Sequence, residues 1–444
     1  MARRIWPRMS LGIGWQANLT TVAAGFTYFE AELAAPPERV RKIQDFNPAV
    51  SQVGGNPPRL PGSKHGGTFT LRFPMRTTSK ANYDGGAGGG GADIMGTTDG
   101  VLAMELLLVG NAWGSLGNAA VLAHADFTKG KHLSVSAGLP NDVAAASTTT
   151  TIKVADATVY KEGQLFVAMT GTSDANPCVG WIKTATMGTD VVLAEAIETA
   201  EIPVNLDETY DTAVAFPAEV DRVPLTLRVL GNNAAFKGDY IGITCTETRH
   251  DLGAGDLWWT EMDFVYTDRI DYDAGGGLEA PDSFYPAPAL LGDDGGRMLY
   301  GAAGATTEAS ALGWRDMQLK VSWPVHDVLD INAPEGVGEM VHTMPEITLA
   351  AKVPVSSADS ITNGEDPYET ILTTEARRVF QFASGQAAGQ MCSLFLGGMQ
   401  FKEVPKRVLV DMVEYYDCIW ETGARTLDTG TDLPANTLCR LGVA

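Results

Sequence analysis

The segment Thr68-Phe69-Thr70-Leu71-Arg72-Phe73 alternates polar and apolar side chains with period two, so one face suits a core and the other suits solvent. That is a strand pattern, and Pro74 follows where a strand ends or lies at a sheet edge. Runs of the same kind occur at 225–230, 258–266, 317–323, 347–355, 379–382 and 408–415. Two stretches carry helix signals instead. Asp99 is placed to cap the apolar run 101–109. Asp366-Pro367-Tyr368-Glu369 supplies an N-cap, a proline at the first helical position and an acid at the third, which predicts a helix to about residue 376.

Glycine and proline separate these elements. Residues 84–93 (DGGAGGGGAD) form a flexible tract, and 45–66, with four prolines, read as one long loop. Residues 274–311 read as a linker, rich in Gly, Pro, Ala and Asp up to 297. An internal repeat is the most informative feature. Thr68-Phe69-Thr70-Leu71-Arg72-Phe73-Pro74-Met75 aligns with Thr348-Leu349-Ala350-Ala351-Lys352-Val353-Pro354-Val355, matching the threonine, the basic residue, the apolar residue after it and the proline. Each segment precedes a capped helix. Each helix precedes β-rich sequence that closes on an acidic-aromatic strand, at 261–266 and at 411–416. Between helix and closing strand the first half carries an extra block, 147–216. Its short β runs at 147–154, 162–167 and 188–193 suggest a small inserted barrel that projects outward and is dispensable to the rest. The expected fold is therefore mainly β. A first domain comprises 1–146 and 217–273, the barrel 147–216, the linker 274–311, and a second domain with a C-terminal arm 312–444.

Composition narrows the function classes. The 444 residues allow two or three domains, and 45% apolar residues can give each a core. Lys+Arg 32 against Asp+Glu 54 leaves −22, the wrong sign for gripping nucleic acid through its phosphates. Residues 1–80 hold 11 Lys/Arg and 4 Asp/Glu, or +7, which leaves −29 for the remainder. A basic surface of one copy could thus meet an acidic surface of another; a solvated scatter of charges meets the counts equally well. The insert holds 3 Lys and 10 Asp/Glu, or −7. No apolar run reaches 18 residues, so no membrane span is expected, and the N-terminal sequence lacks the apolar stretch of a signal peptide. The five cysteines form no CxxC pair, which suits reduced thiols.

Sites for chemistry are sparse. Gly86-Ala87-Gly88-Gly89-Gly90-Gly91 matches GxGxxG but sits in low-complexity sequence, without the strand and helix that a nucleotide needs. No GxxxxGK[ST], HExxH or GxSxG pattern occurs, and His124 and His132, eight apart, fix no common face. Acid pairs Asp271/Asp273, Asp293/Asp294 and Glu247/Asp251 fit a solvated surface, Ca²⁺ binding or acid–base work, with no calcium-loop pattern to favour the second. Trp258-Trp259 places one ring on each face of a strand, for a core and an interface or, as the rival reading, a sugar-stacking platform. The expectation is a non-enzyme with no cofactor and no metal.

The order of these pieces resembles the tail-tube (major tail) proteins of siphovirus-type bacteriophages. The resemblance lies in the loop running into Lys64-His65-Gly66-Gly67-Thr68-Phe69-Thr70-Leu71-Arg72-Phe73-Pro74, the short helix over 98–110 and the insert with TTTTIKV, EGQLFV and TDVVLAEAI. It continues in Phe236-Lys237-Gly238 and Trp258-Trp259-Thr260-Glu261-Met262-Asp263-Phe264, with a second copy lacking the insert at about 312–420. It implies a virion building block, assembled in the host cytoplasm, whose homotrimeric, pseudo-hexameric rings stack into a hollow tube. Tape-measure, terminator and baseplate proteins would be partners, and DNA would pass through without specific binding. Arg39, Arg41, Lys42, Arg59 and Lys64 are the candidate ring-stacking residues, and Asp263, Asp271, Asp273, Glu403, Asp411 and Glu414 the candidate lumen residues. On one continuous strand Asp411 and Glu414 would point to opposite faces, so at most one would face the bore. The alternatives are a carbohydrate-binding or carbohydrate-cleaving β-sandwich, and another virion part such as a baseplate or decoration protein.

Overall fold

The computed structural model describes residues 9–75, 113–116, 143–271, 297–355, 377–422 and 439–443, less short connecting stretches of which 46–58 is the longest. The chain is mainly β, and no helix of seven or more residues occurs among the described residues. The helices expected at 101–109 and to about 376 lie outside those residues, as does the glycine tract 84–93. The first strands are β1 Met9–Trp15, β2 Thr27–Phe29, β3 Glu32–Ala35, β4 Arg41–Asp45, β5 Arg59–Lys64, β6 Thr68–Pro74 and β7 Trp113–Leu116. Then come β8 Thr151–Lys153, β9 Leu165–Met169, β10 Cys178–Ala185, β11 Asp190–Leu193, β12 Glu208–Thr209 and β13 Ala213–Pro217. The first half closes with β14 Leu225–Gly231, β15 Gly238–Asp251, β16 Trp259–Val265 and β17 Asp268–Asp271. The second half has β18 Arg297–Ala302, β19 Ala305–Glu308, β20 Arg315–Ser322, β21 Val325–Leu329, β22 Val337–His342 and β23 Glu346–Pro354. It ends with β24 Arg378–Ser384, β25 Cys392–Phe401, β26 Lys406–Val410, β27 Val413–Thr422 and β28 Cys439–Val443.

The two halves share one pairing scheme. In the first, β1 pairs with β2 and β14, and the first part of β15 lies between β14 and β17. The second part of β15 pairs with β16, β16 with β6, and β6 with β3. In the second, β18 pairs with β19 and β24, and the first part of β25 lies between β24 and β28. The end of β25 pairs with β27, β27 with β23, and β23 with β20. A detached hairpin occupies the same place in each half, β4·β5 between β3 and β6 and β21·β22 between β20 and β23. The register agrees to the residue. Thr68 faces Val265 and Pro74 faces Trp259, as Thr348 faces Glu421 and Pro354 faces Tyr415. Met75 N then donates to Trp258 O at 2.7 Å, as Val355 N donates to Glu414 O at 2.9 Å.

The halves are fused edge to edge. β15 pairs with β20 from Glu247↔Ser322 to Asp251↔Gln318, so β3-β6-β16-β15-β20-β23-β27-β26 is one continuous antiparallel sheet. Its apolar face is set by the alternation seen in the sequence: Phe69, Leu71 and Phe73 are buried while Thr70 and Arg72 are half-exposed. One core lies beneath it, running from Phe69, Leu227 and Met262 in the first half to Leu319, Phe380 and Trp420 in the second. Trp314 stacks parallel on Trp420 with centroids 6.0 Å apart, and Phe380 meets Trp420 edge-on at 5.1 Å. A further sheet, β19-β18-β24-β25-β28-β13-β7, takes its last two strands from the first half.

The inserted block forms a five-stranded sheet, β12-β9-β10-β11-β8. Val143 closes it, its N–H donating to Asp207 O at 3.0 Å while it bridges Val154 beyond β8. Ile152, Phe166, Cys178, Ile182 and Val191 fill its interior. Its other face does not project freely. Leu165, Val167, Val179 and Trp181 pack against Val379, Ala383, Met391 and Phe395 of the second half. Trp181 Nε1 donates to Ser393 Oγ at 3.0 Å, and the buried Arg440 guanidinium lies over both Trp181 and Phe395.

Several boundaries move. β13 begins inside 147–216 and ends at Pro217, but belongs to the large sheet, because it pairs with β28 and β7. β18 and β19 fall within the expected linker and are the counterparts of β1 and β2. The C-terminal β28 is held between β25 and β13 and is no free arm. The loop expected over 45–66 contains β5, paired back on β4. The run 408–415 is two strands: Val410 faces Val413 across a turn in which Asp411 and Met412 have φ of 49° and 67°.

Candidate assembly surface

The second face of the continuous sheet is polar and crosses both halves. Antiparallel neighbours share a face, so the registers place Arg72, Glu261, Arg249, Lys320, Thr348 and Glu421 side by side in one row. The adjacent row holds Thr70, Asp263, Glu247, Ser322 and Glu346. Cations and carboxylates on this face neutralise one another. Arg249 reaches Glu261 at 2.5 Å, Asp263 at 2.7 Å and Glu247 at 3.5 Å, and Lys320 reaches Glu247 at 2.6 Å. Thr70 Oγ1 donates to Asp263 Oδ1 at 2.6 Å. Lys352 bonds Asp316, which holds its ammonium above the usual lysine range, and Lys402 lies 3.6 Å from Glu421. Arg72 stacks on the ring of Trp259 at 4.5 Å, while Trp258 is fully buried in the core. The two rings therefore part as their strand positions require, and the ring on the polar face is covered by a guanidinium.

The candidate lumen residues do not form one set. Asp263 lies in the middle of this polar face. Asp271 ends β17, opposite Gly238 in the first half's other sheet, and Asp273 lies outside the described residues. Glu403 lies before β26, 3.6 Å from Lys406, whereas Asp411 and Glu414 lie at the turn end of the β26·β27 hairpin. Asp411 sits in the turn and accepts from Arg315 Nη1 at 2.9 Å, which raises the guanidinium's pKa. Glu414 faces Leu409 and lies 3.8 Å from Arg407. The period-two argument that set Asp411 against Glu414 is thus corrected, since the turn ends the strand between them. Among the stacking candidates, Arg41 and Lys42 lie on β4 and Arg59 and Lys64 on β5, with Arg41 opposite Lys64; Arg39 lies outside the described residues.

A feature the sequence reading missed lies at the ends of the sheet. Among the described residues β26 pairs with β27 and the end strand β3 pairs with β6, and neither has a neighbour on its outer side. Six large hydrophobic side chains are exposed among the described residues, and four of them, Val404, Leu409, Met412 and Val413, belong to or adjoin the β26·β27 hairpin. Counting exposed apolar residues in sequence could not find them, because a strand's outer edge is not encoded in its alternation.

The thiols and His250 are withdrawn from solvent, whereas His326 is exposed. All five cysteines are buried and none is in a disulfide, and burial pushes the Cys392 thiol up to about 12. His250 is buried with its pKa lowered to about 3, and Trp258 Nε1 donates to its Nδ1 at 3.3 Å. Among the described residues no group of three or more His, Cys, Asp or Glu is placed to hold a metal. No helix of the described residues is long and apolar enough to cross a membrane. No protein-family model matches the chain, and no curated protein matches it closely enough to name a relative.

Proposed function

We propose that the chain is a non-enzymatic building block of a hollow tube, of the kind that forms the tails of siphovirus-type bacteriophages. The observation that carries this reading is the fusion of two halves with one pairing scheme into a single sheet, edge to edge through β15·β20. Such a joint is head to tail: the β15 edge of one unit meets the β20 edge of the next, and these are different edges. Head-to-tail contacts between repeated units generate rings when the rotation closes. Three chains would supply six units, and fusing units in pairs makes half of the contacts intramolecular, at high effective concentration. The mixed, internally neutralised face of the sheet lines the bore in this reading. Its cations are engaged by carboxylates or, for Arg72, by an indole, so a passing duplex finds little to hold it. The detached hairpins β4·β5 and β21·β22 extend from equivalent places and are the elements suited to contact the neighbouring ring.

Negative-stain images of the purified protein, with native mass spectrometry, test the reading. Threefold rings with six similar lobes, alone or stacked, are expected. Monomers at high concentration, or sixfold rings of whole chains, would overturn it. A sugar-binding reading draws less support, because the ring of Trp259 is already occupied by Arg72.

A further inference from the structure

We propose that a second copy of this chain seats its β3 edge on the β26 edge, repeating between chains the β15·β20 ladder that joins the halves within one. The inference rests on the tube-building reading and names the joint that would close the ring. Its ground is residue equivalence. Lys406 faces Asp417 and Arg407 faces Tyr416, as Arg249 faces Glu261 and His250 faces Thr260, so β26 is the counterpart of the second part of β15. Glu32 faces Arg72 and Ala35 faces Thr70, as Arg315 faces Lys352 and Gln318 faces Ala350, so β3 is the counterpart of β20, bulge included. Within the chain the β15 edge is covered by β20, and Leu252, whose N–H donates to Met317 O at 2.7 Å, is fully buried. Its counterpart Leu409 is 73% exposed, and Met412 in the adjoining turn is 94% exposed. Burying such apolar side chains against a neighbour favours an interface.

The internal ladder also fixes the register. Transferring it puts Leu409 opposite the partner's Ala34 and Val408 opposite the partner's Ala35. Leu252 and Met317 form the hydrogen-bonded pair within the chain, so Leu409 takes that role between chains, and Val408 becomes a closely spaced non-hydrogen-bonded pair. Pro36 and Pro405 lack an N–H, which confines the ladder to 407–410 against 33–36. Lys406 and Arg407 on the same edge oppose indiscriminate pairing with other strands. A short ladder with an apolar anchor is weak as a single contact and stable once a ring closes.

A double variant, Val408→Cys with Ala35→Cys, tests the joint. Within one chain β26 and β3 stand seven strand spacings apart along the sheet, about 34 Å at ~4.8 Å each. A disulfide needs Cα atoms within about 7 Å and therefore has to form between chains. Oxidation followed by a non-reducing gel should give a ladder ending at a closed covalent trimer, with each single-cysteine variant remaining monomeric. Leu409→Asp should leave a folded monomer by circular dichroism and abolish rings. Wild-type rings without cross-linking of the double variant, or rings that persist in Leu409→Asp, would overturn this joint while leaving the tube reading standing. Absence of rings and of cross-links alike would sink both.

Discussion

Gly242 and Gly398 stand at the same point of the two halves, with φ of 60° and 63°. Each lies in a bulge: Leu225 and Leu227 face Ile243 and Tyr240, as Arg378 and Phe380 face Met399 and Leu396. A bulge bends its strand, and here it marks where the strand leaves one set of partners for another. The left-handed backbone costs little only for glycine. At Gly242 a Cβ would also meet Thr267 Oγ1 at 2.5 Å. Gly242→Ala is expected to lower unfolding free energy by about 2 kcal/mol or more, and Gly398→Ala by about 1–2 kcal/mol. Urea melts measure both, and a neutral Gly242→Ala would remove the crossing bulge as a stability determinant.

The inserted barrel is held by contacts that reach into the second half, and that changes what its removal should do. Trp181 is fully buried between the barrel and β25, with its indole bonded to Ser393. Trp181→Ala should cost about 3–5 kcal/mol, the range for deleting a large buried aromatic. Deleting 147–209 should expose Val379, Ala383, Met391 and Phe395 together and drive the protein into the pellet on centrifugation. A soluble deletion variant with wild-type melting would restore the barrel to the dispensable module that the sequence suggested.

His250 should make the fold acid-sensitive. Trp258's indole can only donate, so His250 Nδ1 accepts and the neutral ring carries its proton on Nε2. Burial holds the folded pKa at about 3, against 6.5 for an ordinary histidine. Between those values the unfolded chain binds a proton that the folded chain refuses, so stability falls as pH falls. From pH 7.5 to 5.0 the loss is about 2 kcal/mol from this one group. His250→Gln should show a pH dependence smaller by that amount in paired urea melts, and an unchanged slope would assign the acid sensitivity elsewhere.

The parts of this fold that were legible are those where side-chain alternation and a terminating residue coincide. Thr68 and Thr348 open equivalent strands and Pro74 and Pro354 close them, so the repeat could be aligned before its partners were known. The hairpin at Asp411-Met412 was hidden because two left-handed residues without a glycine carry no turn signature, and the flanking valines read as one strand. β18 was hidden by the glycines and alanines around Leu299 and Tyr300, which resemble linker sequence but pair with Gln381 and Phe380. That β3 and β26 have no outer neighbour among the described residues is a tertiary property that no local pattern records.

The polar sheet face yields a test of its own, because its balance of charge can be inverted without touching the core. Glu421 and Asp417 are exposed on β27, two strands in from β20 and one from the open edge, with Lys402 3.6 Å from Glu421. Glu421→Lys with Asp417→Lys replaces two anions with two cations on each chain and breaks no buried contact. If this face lines a bore, every ring then presents the added cations to a duplex inside it. Wild-type tubes should not retain short duplex DNA, whereas variant tubes should hold it at low salt and release it as salt rises. The logarithm of the binding constant should fall by about 0.9 per decade of salt for each phosphate engaged. The sign matters more than the size, since a face outside the bore would recruit DNA to the tube exterior, where nuclease digests it. Variant tubes that protect no DNA, while keeping wild-type ring symmetry, would show that the polar face of β3-β6-β16-β15-β20-β23-β27-β26 does not line the channel.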